Sequence, residues 1–103
     1  MNQSIFKIQA EFCKAMGNET RLYVLHLLRD EPKTINQICH ETGLPQSNVS
    51  RQLGILKNVG VVIAHRNGGE MVYQITDPKI GEVCDLVRSV LLEQIQKSSQ
   101  ALR

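Results

Sequence analysis

A cluster of hydrogen-bonding side chains occupies the middle of the chain, within residues 43–62. Its members carry amide, hydroxyl or guanidinium groups: Gln46, Ser47, Asn48, Ser50, Arg51 and Gln52. In the major groove of DNA, Gln and Asn can pair with adenine and Arg with guanine, while hydroxyl groups suit phosphate oxygens. The cluster therefore has the chemistry of a helix whose first turns contact base edges and phosphates.

Apolar residues recur at helical spacing within the same stretch. Val49, Leu53, Leu56 and Val59 would lie on one face of a helix and bury it. This pattern predicts a helix with one buried face and one polar face. The alternative for each polar residue is an ordinary solvated helix face, and for Ser47 a local backbone hydrogen bond near the helix start.

The distribution of charge favours a nucleic-acid partner more than the total charge does. The whole chain carries a formal charge of only +2. Between Glu41 and Glu70, however, there is no acidic residue, and Arg51, Lys57 and Arg66 give that segment a local formal charge of +3. A regional excess of positive charge is expected of a phosphate-binding surface, although chance clustering in a nearly neutral chain is the alternative.

Length and composition predict a single globular domain over residues 1–103. Apolar residues make up 42% of the chain and charged residues 21%, and there is no apolar run of about 18 residues that could span a membrane. No secretory signal is recognisable at the N-terminus. Three cysteines without paired spacing argue against a disulfide framework, so we expect a cytoplasmic protein that does not contact a membrane.

Helix signals surround the polar cluster. A first helix ends at Gly17, and Asn18 caps a second, strongly apolar helix. Thr34 begins a short third helix, Gly43 breaks it, and Pro45 lies in the first turn of the helix that carries the cluster. Two short helices joined by a tight turn that contains Gly form a helix-turn-helix pattern.

The remainder of the chain predicts a β-hairpin and a long terminal helix. Residues 61–66 and 71–75 are rich in β-formers, and the residues between them, 67–70, read Asn-Gly-Gly-Glu, which is a strong turn signal. Asp77 and Pro78 open a last helix with a broad apolar stripe, which needs the first helix and a second subunit as partners. The predicted fold is therefore mainly α with a small β-hairpin: a winged helix-turn-helix of four helices, a hairpin and a fifth helix.

Four motifs in this order resemble the ArsR/SmtB family of bacterial winged-helix repressors. They lie at residues 15–22 (Ala-Met-Gly-Asn-Glu-Thr-Arg-Leu), 46–53 (with Gln52 where the family usually has His), 56–61 and 66–73. The resemblance covers nearly the whole chain. It implies a homodimer that binds a pseudo-palindromic operator in double-stranded DNA and releases it when an inducer binds.

The resemblance also implies which residues contact DNA. It assigns Gln46, Ser47, Asn48, Ser50 and Arg51 to the recognition helix, and Arg66 and Asn67 to the wing. Side-chain chemistry supports the same assignment, with the two serines suited to phosphate and the amides and Arg51 suited to bases.

The metal sites of the family are poorly matched. Its thiolate pattern on the third helix falls on Thr34, Asn36 and Cys39, of which one is a thiol. Its site on the last helix needs histidines where this chain has Lys79 and Val90. Its redox-sensing branch has a second-helix cysteine where this chain has His26. We therefore expect no cofactor and no metal site of these types.

Three cysteines remain as candidates for sensing an inducer: Cys13, Cys39 and Cys84. Cys13 and Cys39 could bind a soft metal or metalloid if the fold brings them together, since thiolates favour such ions. The alternative is that all three are small buried hydrophobes. The inducer stays open between a metal or metalloid, an oxidant and a small organic molecule.

Two other function classes compete with a DNA-binding regulator. An enzyme is disfavoured because the sequence has no Gly-rich phosphate loop, no HExxH and no nucleophile elbow. A winged-helix protein-interaction module without DNA binding has the same fold. The polar, acid-free helix argues against it, because a protein-binding version would more often expose an apolar or acidic face.

Overall fold

The computed structural model describes residues 3–101 and, within them, the side chains of residues 4–99. Over this range five helices pack with a three-stranded antiparallel sheet, in the order α1 (Gln3–Met16), α2 (Glu19–Leu28), β1 (Lys33–Thr34), α3 (Ile35–Thr42), α4 (Gln46–Asn58), β2 (Val62–Asn67), β3 (Glu70–Ile75) and α5 (Lys79–Ala101). The predicted winged helix-turn-helix is confirmed.

Local hydrogen bonds explain where the helices begin and end. The side-chain oxygen of Asn18 accepts a hydrogen bond of 3.0 Å from the backbone N–H of Arg21, so Asn18 caps α2 as predicted. At the start of α3, Thr34 and Gln37 form a reciprocal capping box. Gly43 ends α3 with a φ of 74°, a left-handed conformation that glycine adopts at low cost.

The sheet contains one strand more than the sequence predicted. The predicted hairpin is present, with Asn67 paired to Glu70 and Gly68 at a φ of 65° in the two-residue turn. In addition, the two-residue strand β1 pairs with β3, on the side away from β2. A strand this short has no periodicity to detect, and its pairing exists only because the chain between α2 and α3 passes beside the hairpin.

The core lies where α2, α3 and α4 meet the base of the hairpin. It is formed by fully or nearly fully buried aliphatic side chains: Val24, Leu25, Leu28, Ile38, Val49, Leu53, Leu56, Val61 and Val62. Of the four residues predicted to face inward, Val49, Leu53 and Leu56 of α4 are wholly buried, and Val59, just after the helix, is half-buried. Burial of this kind stabilises the fold by about 1.5–3 kcal/mol for each large aliphatic side chain.

Helix α5 is attached at its N-terminal half by Ile80, which packs against the core, and by an exposed charged contact. Arg29, just after α2, donates a hydrogen bond of 2.5 Å to Asp85, which also pairs with Arg88 at 3.2 Å. Gly81 lies buried directly against the Arg29 guanidinium, in a space that a Cβ atom would fill. The absence of a side chain at Gly81 thus lets Arg29 cross to Asp85.

The Arg29–Asp85 contact predicts a defined pH dependence of stability. The hydrogen bond from Arg29 lowers the pKa of Asp85 below its ordinary value. A carboxyl group with a lowered pKa in the folded state stabilises the fold above its unfolded pKa of about 4 and loses that contribution as the pH falls through the folded pKa. In urea unfolding, we expect Asp85→Asn to be less stable than the wild type at pH 7, with the difference shrinking below about pH 4. A difference that stays constant from pH 7 to pH 3 would contradict this assignment.

Candidate nucleic-acid interface

Helix α4 presents the predicted polar residues on the surface opposite its buried face. Gln46, Ser47, Ser50 and Arg51 are exposed, and Asn48 is half-buried. Because Val49 and the other inward residues are held in the core, the orientation of this polar face is fixed. The first turns of α4 can therefore enter a groove without disturbing the packing beneath them.

The wing lies beside the start of α4. Arg66 and Asn67 are exposed at the tip of the hairpin, as a wing requires. At the start of β3, beside this tip, Glu70 and Met71 line a shallow cavity of about 200 Å³ that Gln46 also lines. The two parts of the predicted site, which are about 20 residues apart in the sequence, are therefore neighbours on one surface.

The cations of the acid-free segment are all available for contact. Arg51, Lys57 and Arg66 are exposed. The acid just before that segment, Glu41, is paired at 3.1 Å with Lys33, and this hydrogen bond raises the pKa of Lys33 above its ordinary value. Lys33 also lies 3.5 Å from Glu31, so these charges form a cluster of their own outside the acid-free segment.

Gln52 differs from its neighbours in the polar cluster, because it is only 6% exposed. Its Oε1 accepts a hydrogen bond of 2.9 Å from Arg21, and its Nε2 donates one of 2.9 Å to Asn48 Oδ1. Grouping Gln52 with the surface residues on the basis of the sequence was therefore wrong. Its side chain belongs to a buried network that supports the surface.

Arg21 is the residue of this network that sequence analysis missed. It lies in the first turn of α2 and also donates a hydrogen bond of 2.6 Å from Nε to the carbonyl of Ala15 near the end of α1. Its contact with Gln52 spans 31 positions in the sequence. No local pattern reveals such a pair; the available signals were an Arg where a capping box prefers Glu or Gln and the presence of that Arg in the motif at residues 15–22.

The structure brings together a different pair of cysteines from the one the sequence suggested. Cys13 and Cys84 both line an apolar groove of about 380 Å³ between α1 and α5, together with Phe12, Met16, Leu22, Val83, Val87 and Leu91. Cys39 instead packs against the core from α3. Among the side chains of residues 4–99, no three His, Cys, Asp or Glu residues are grouped so as to hold a metal ion.

Comparison with known families places this site in context. The model of the arsR family of bacterial regulatory proteins matches residues 18–64. That segment runs from the cap of α2 through α4 into β2. It therefore includes every predicted contact residue except Arg66 and Asn67.

Individual relatives extend the similarity over most of the chain. The uncharacterized HTH-type transcriptional regulator Rv0081 of Mycobacterium tuberculosis is 36% identical over 91 residues, which are 87% of this chain and 80% of that protein. The HTH-type transcriptional repressor SmtB of the same organism is 27% identical over 79% of this chain and 60% of its own length.

Solved structures agree with the sequence comparisons. The crystal structure of Rv0081 matches with a TM-score of 0.83 at 35% identity, over 90% of this chain and 94% of that one. The homodimeric winged helix-turn-helix DNA-binding domain of Mb0332 from Mycobacterium bovis matches with a TM-score of 0.84 at 28% identity, over 92% of this chain and 88% of that one.

The helices of the described residues were also compared with the length and hydropathy that a membrane span needs, and none of them meets both requirements.

The placement of the thiols predicts the outcome of a metal titration. Closed thiolate sites in proteins generally use three or four ligands, whereas the groove between α1 and α5 contains two cysteines. We expect the reduced protein, titrated with Cd(II) or As(III), to show no intense thiolate absorption. A strong band that disappears in Cys39→Ser would contradict this expectation, because it would require Cys39 to leave the core and join the other thiols.

Proposed function

The chain belongs to the ArsR family of bacterial regulatory proteins, and on that premise we propose that it is a homodimeric transcriptional repressor that binds double-stranded operator DNA and releases it on binding an inducer. The observation that carries this proposal is the exposed, acid-free polar face of α4 beside the wing. Residues 1–103 act as one DNA-binding and dimerisation domain in the cytoplasm and catalyse no reaction.

The contacts with DNA divide by chemistry. Arg51 and the amide side chains at the start of α4 face base edges in the major groove, while Ser47 and Ser50 bind phosphate oxygens and set the register of the helix. Arg66 and Asn67 on the wing contact the flanking backbone or groove. Lys57 adds positive charge at the other end of α4.

A second copy of the chain is the partner that α1 and α5 require. Both helices expose large apolar side chains to solvent in the single chain: Ile5, Phe6, Ile8, Val83, Leu86, Val87, Val90, Leu91, Leu92 and Ile95. An apolar surface of this extent marks an interface, and Mb0332, which has the same fold, is described as homodimeric. Two-fold symmetry then requires an operator with two half-sites, one helical turn or a small multiple of it apart.

The proposal also states that the protein represses transcription and that an inducer ends the repression. Repression is supported by the similarity to SmtB, which is named a transcriptional repressor. The inducer is an oxidant or a small organic molecule, since two grouped thiols are too few for the metal or metalloid that the sequence also allowed. It acts by favouring a conformation of the dimer in which the two recognition helices no longer match the half-sites.

A protein-interaction module remains the alternative, and salt dependence separates the two. Binding of phosphates releases counterions, so affinity for a random-sequence duplex should fall steeply as salt rises. A module that binds protein through this face has no reason to show such dependence. The exposed cations Arg51, Lys57 and Arg66 favour the DNA-binding function.

We expect Arg51→Ala to weaken binding to a duplex selected by the wild-type protein from a random pool, by roughly tenfold, because an arginine contact to a base or phosphate is lost. Fluorescence anisotropy at moderate salt measures the affinity, and sedimentation should show that the oligomeric state is unchanged. Lys97→Ala is a matched control, since it removes one exposed positive charge from α5, far along the chain from α4. Equal affinities for the Arg51→Ala variant and the wild type would exclude Arg51 from the interface.

We expect Leu91→Glu to convert the dimer to a monomer and to reduce DNA affinity with it, because the charge would be buried between two α5 helices. Leu91 is 50% exposed in the single chain, so the substitution should leave the monomer folded by circular dichroism. Gln96→Glu places the same charge on the polar side of α5, well away from Leu91 around the helix, and should leave the dimer intact. A Leu91→Glu protein that still sediments as a dimer would locate the interface elsewhere.

A further inference from the structure

Beneath the polar face of α4, Arg21, Gln52 and Asn48 are joined by hydrogen bonds in which donor and acceptor cannot be exchanged. A guanidinium group carries only hydrogen-bond donors. Arg21 Nη1, 2.9 Å from the Gln52 side chain, can therefore be satisfied only by the oxygen of that amide. The identity of Arg21 thus determines which end of the Gln52 amide points toward α2.

The orientation of Gln52 in turn determines that of Asn48. With Oε1 facing Arg21, Gln52 presents Nε2, which is a donor, to the side chain one helical turn earlier. Asn48 accepts that hydrogen bond through Oδ1 at 2.9 Å, and Arg51 Nη2 lies 3.5 Å from the same oxygen. The amino group of Asn48, Nδ2, is the part of its amide left for a partner outside the chain.

Because Gln52 is buried, its side-chain amide cannot easily turn over and reverse these hydrogen bonds. Gln52 is 6% exposed, so water cannot take over a hydrogen bond that it gives up. If the Gln52 amide turned over, its amino group would face the Arg21 guanidinium, donor against donor, and its oxygen would face Asn48 Oδ1. Arg21 itself is held in place by its second hydrogen bond, to the carbonyl of Ala15.

We propose that Arg21 and Gln52 are positioning residues that make Asn48 a donor-only contact, so that Asn48 selects a base offering an acceptor rather than pairing bidentately with adenine. Bidentate pairing with adenine needs the Asn oxygen to accept from the base N6 amino group, but the two lone pairs of Asn48 Oδ1 already face Gln52 Nε2 and Arg51 Nη2. The acceptors that match Nδ2 in the major groove are O6 and N7 of guanine, O4 of thymine and N7 of adenine, whose N6 amino group would then take no part. This inference rests on the proposed binding of DNA by α4.

Selection from a pool of random-sequence duplexes tests the inference. The wild-type protein should enrich a two-fold site in which one position of each half-site depends on Asn48 and excludes cytosine, and replacing adenine there by purine, which lacks the N6 amino group, should leave the affinity unchanged. Asn48→Asp keeps an acceptor for Gln52 Nε2 but replaces the outward donor with an acceptor. We expect this variant to prefer cytosine or adenine at that position, with a change in relative affinity of about tenfold.

A second variant acts on the network without altering Asn48. In Gln52→Glu, the carboxylate still accepts from Arg21 but can no longer donate to Asn48. The Asn48 amide should then turn its Nδ2 inward and expose Oδ1, so the preference should move toward cytosine or adenine as it does in Asn48→Asp. A purely structural role for Gln52 would lower stability or affinity for all sequences without this change of base.

Asn58→Asp is the matched control, since it makes the same amide-to-acid change at the exposed C-terminal end of α4 and should leave every base preference intact. Thermal unfolding identifies any variant that fails to fold, and Asn48→Asp, at a half-buried position, decides the question if Gln52→Glu is unfolded.

The inference is overturned if the wild type requires adenine with its N6 amino group at the Asn48 position. It is also overturned if Asn48→Asp leaves all base preferences unchanged. Failure of the wild-type protein to enrich any sequence would overturn the proposed DNA binding itself, and this inference with it.

Discussion

Helix α4 has to bury one face completely while its other face stays in solvent, and most of the molecule is arranged around that requirement. Its 13 residues place Val49, Leu53 and Leu56 at zero exposure. The partners that bury them come from α2, α3 and the base of the hairpin. Because these contacts lock the rotation of α4 about its axis, the side chains on its outer face point in fixed directions, and recognition can depend on individual atoms.

The boundary between the two faces is where the polar network lies. Gln52 belongs by position to neither face: it is too polar for the aliphatic core and too buried to reach DNA. Arg21 resolves this by supplying a charged donor to Gln52 from α2, so that a buried amide is satisfied at both of its ends. One turn away, Asn48 is oriented by the same hydrogen bonds, and the core therefore affects the surface through polar groups as well as through packing.

Helix α5 differs from α4, since most of its large apolar side chains are not buried by the chain that contains them. Its link to α2 through Arg29 and Asp85 is a surface ion pair, and such pairs contribute little to stability. Apart from side chains such as Phe12, Met16 and Ile80, which pack against the core, the large apolar side chains of α1 and α5 would gain their burial in an assembly with a second copy. Association with a second copy would also fix the separation of two α4 helices, which a single chain cannot do, and this is the reason that dimerisation and operator recognition belong together in the proposed function.

The sequence by itself determined the local features of this protein, because each depends on neighbouring residues. The cap at Asn18, the break at Gly43, the hairpin turn at Gly68 and the alternation of apolar and polar residues along α4 were all predictable, and with them the winged helix-turn-helix and the surface that carries the proposed contact residues. Only the tertiary structure decided that Lys33 and Thr34 add a third strand, that Gln52 is buried, that Arg21 reaches it across 31 positions, and that Cys84 rather than Cys39 shares a groove with Cys13. These features depend on pairs of residues that are distant in the sequence, and periodicity and capping rules describe only residues within one element. The local features determine which helices and strands form, and the long-range contacts determine which atoms each helix or strand presents to its partners.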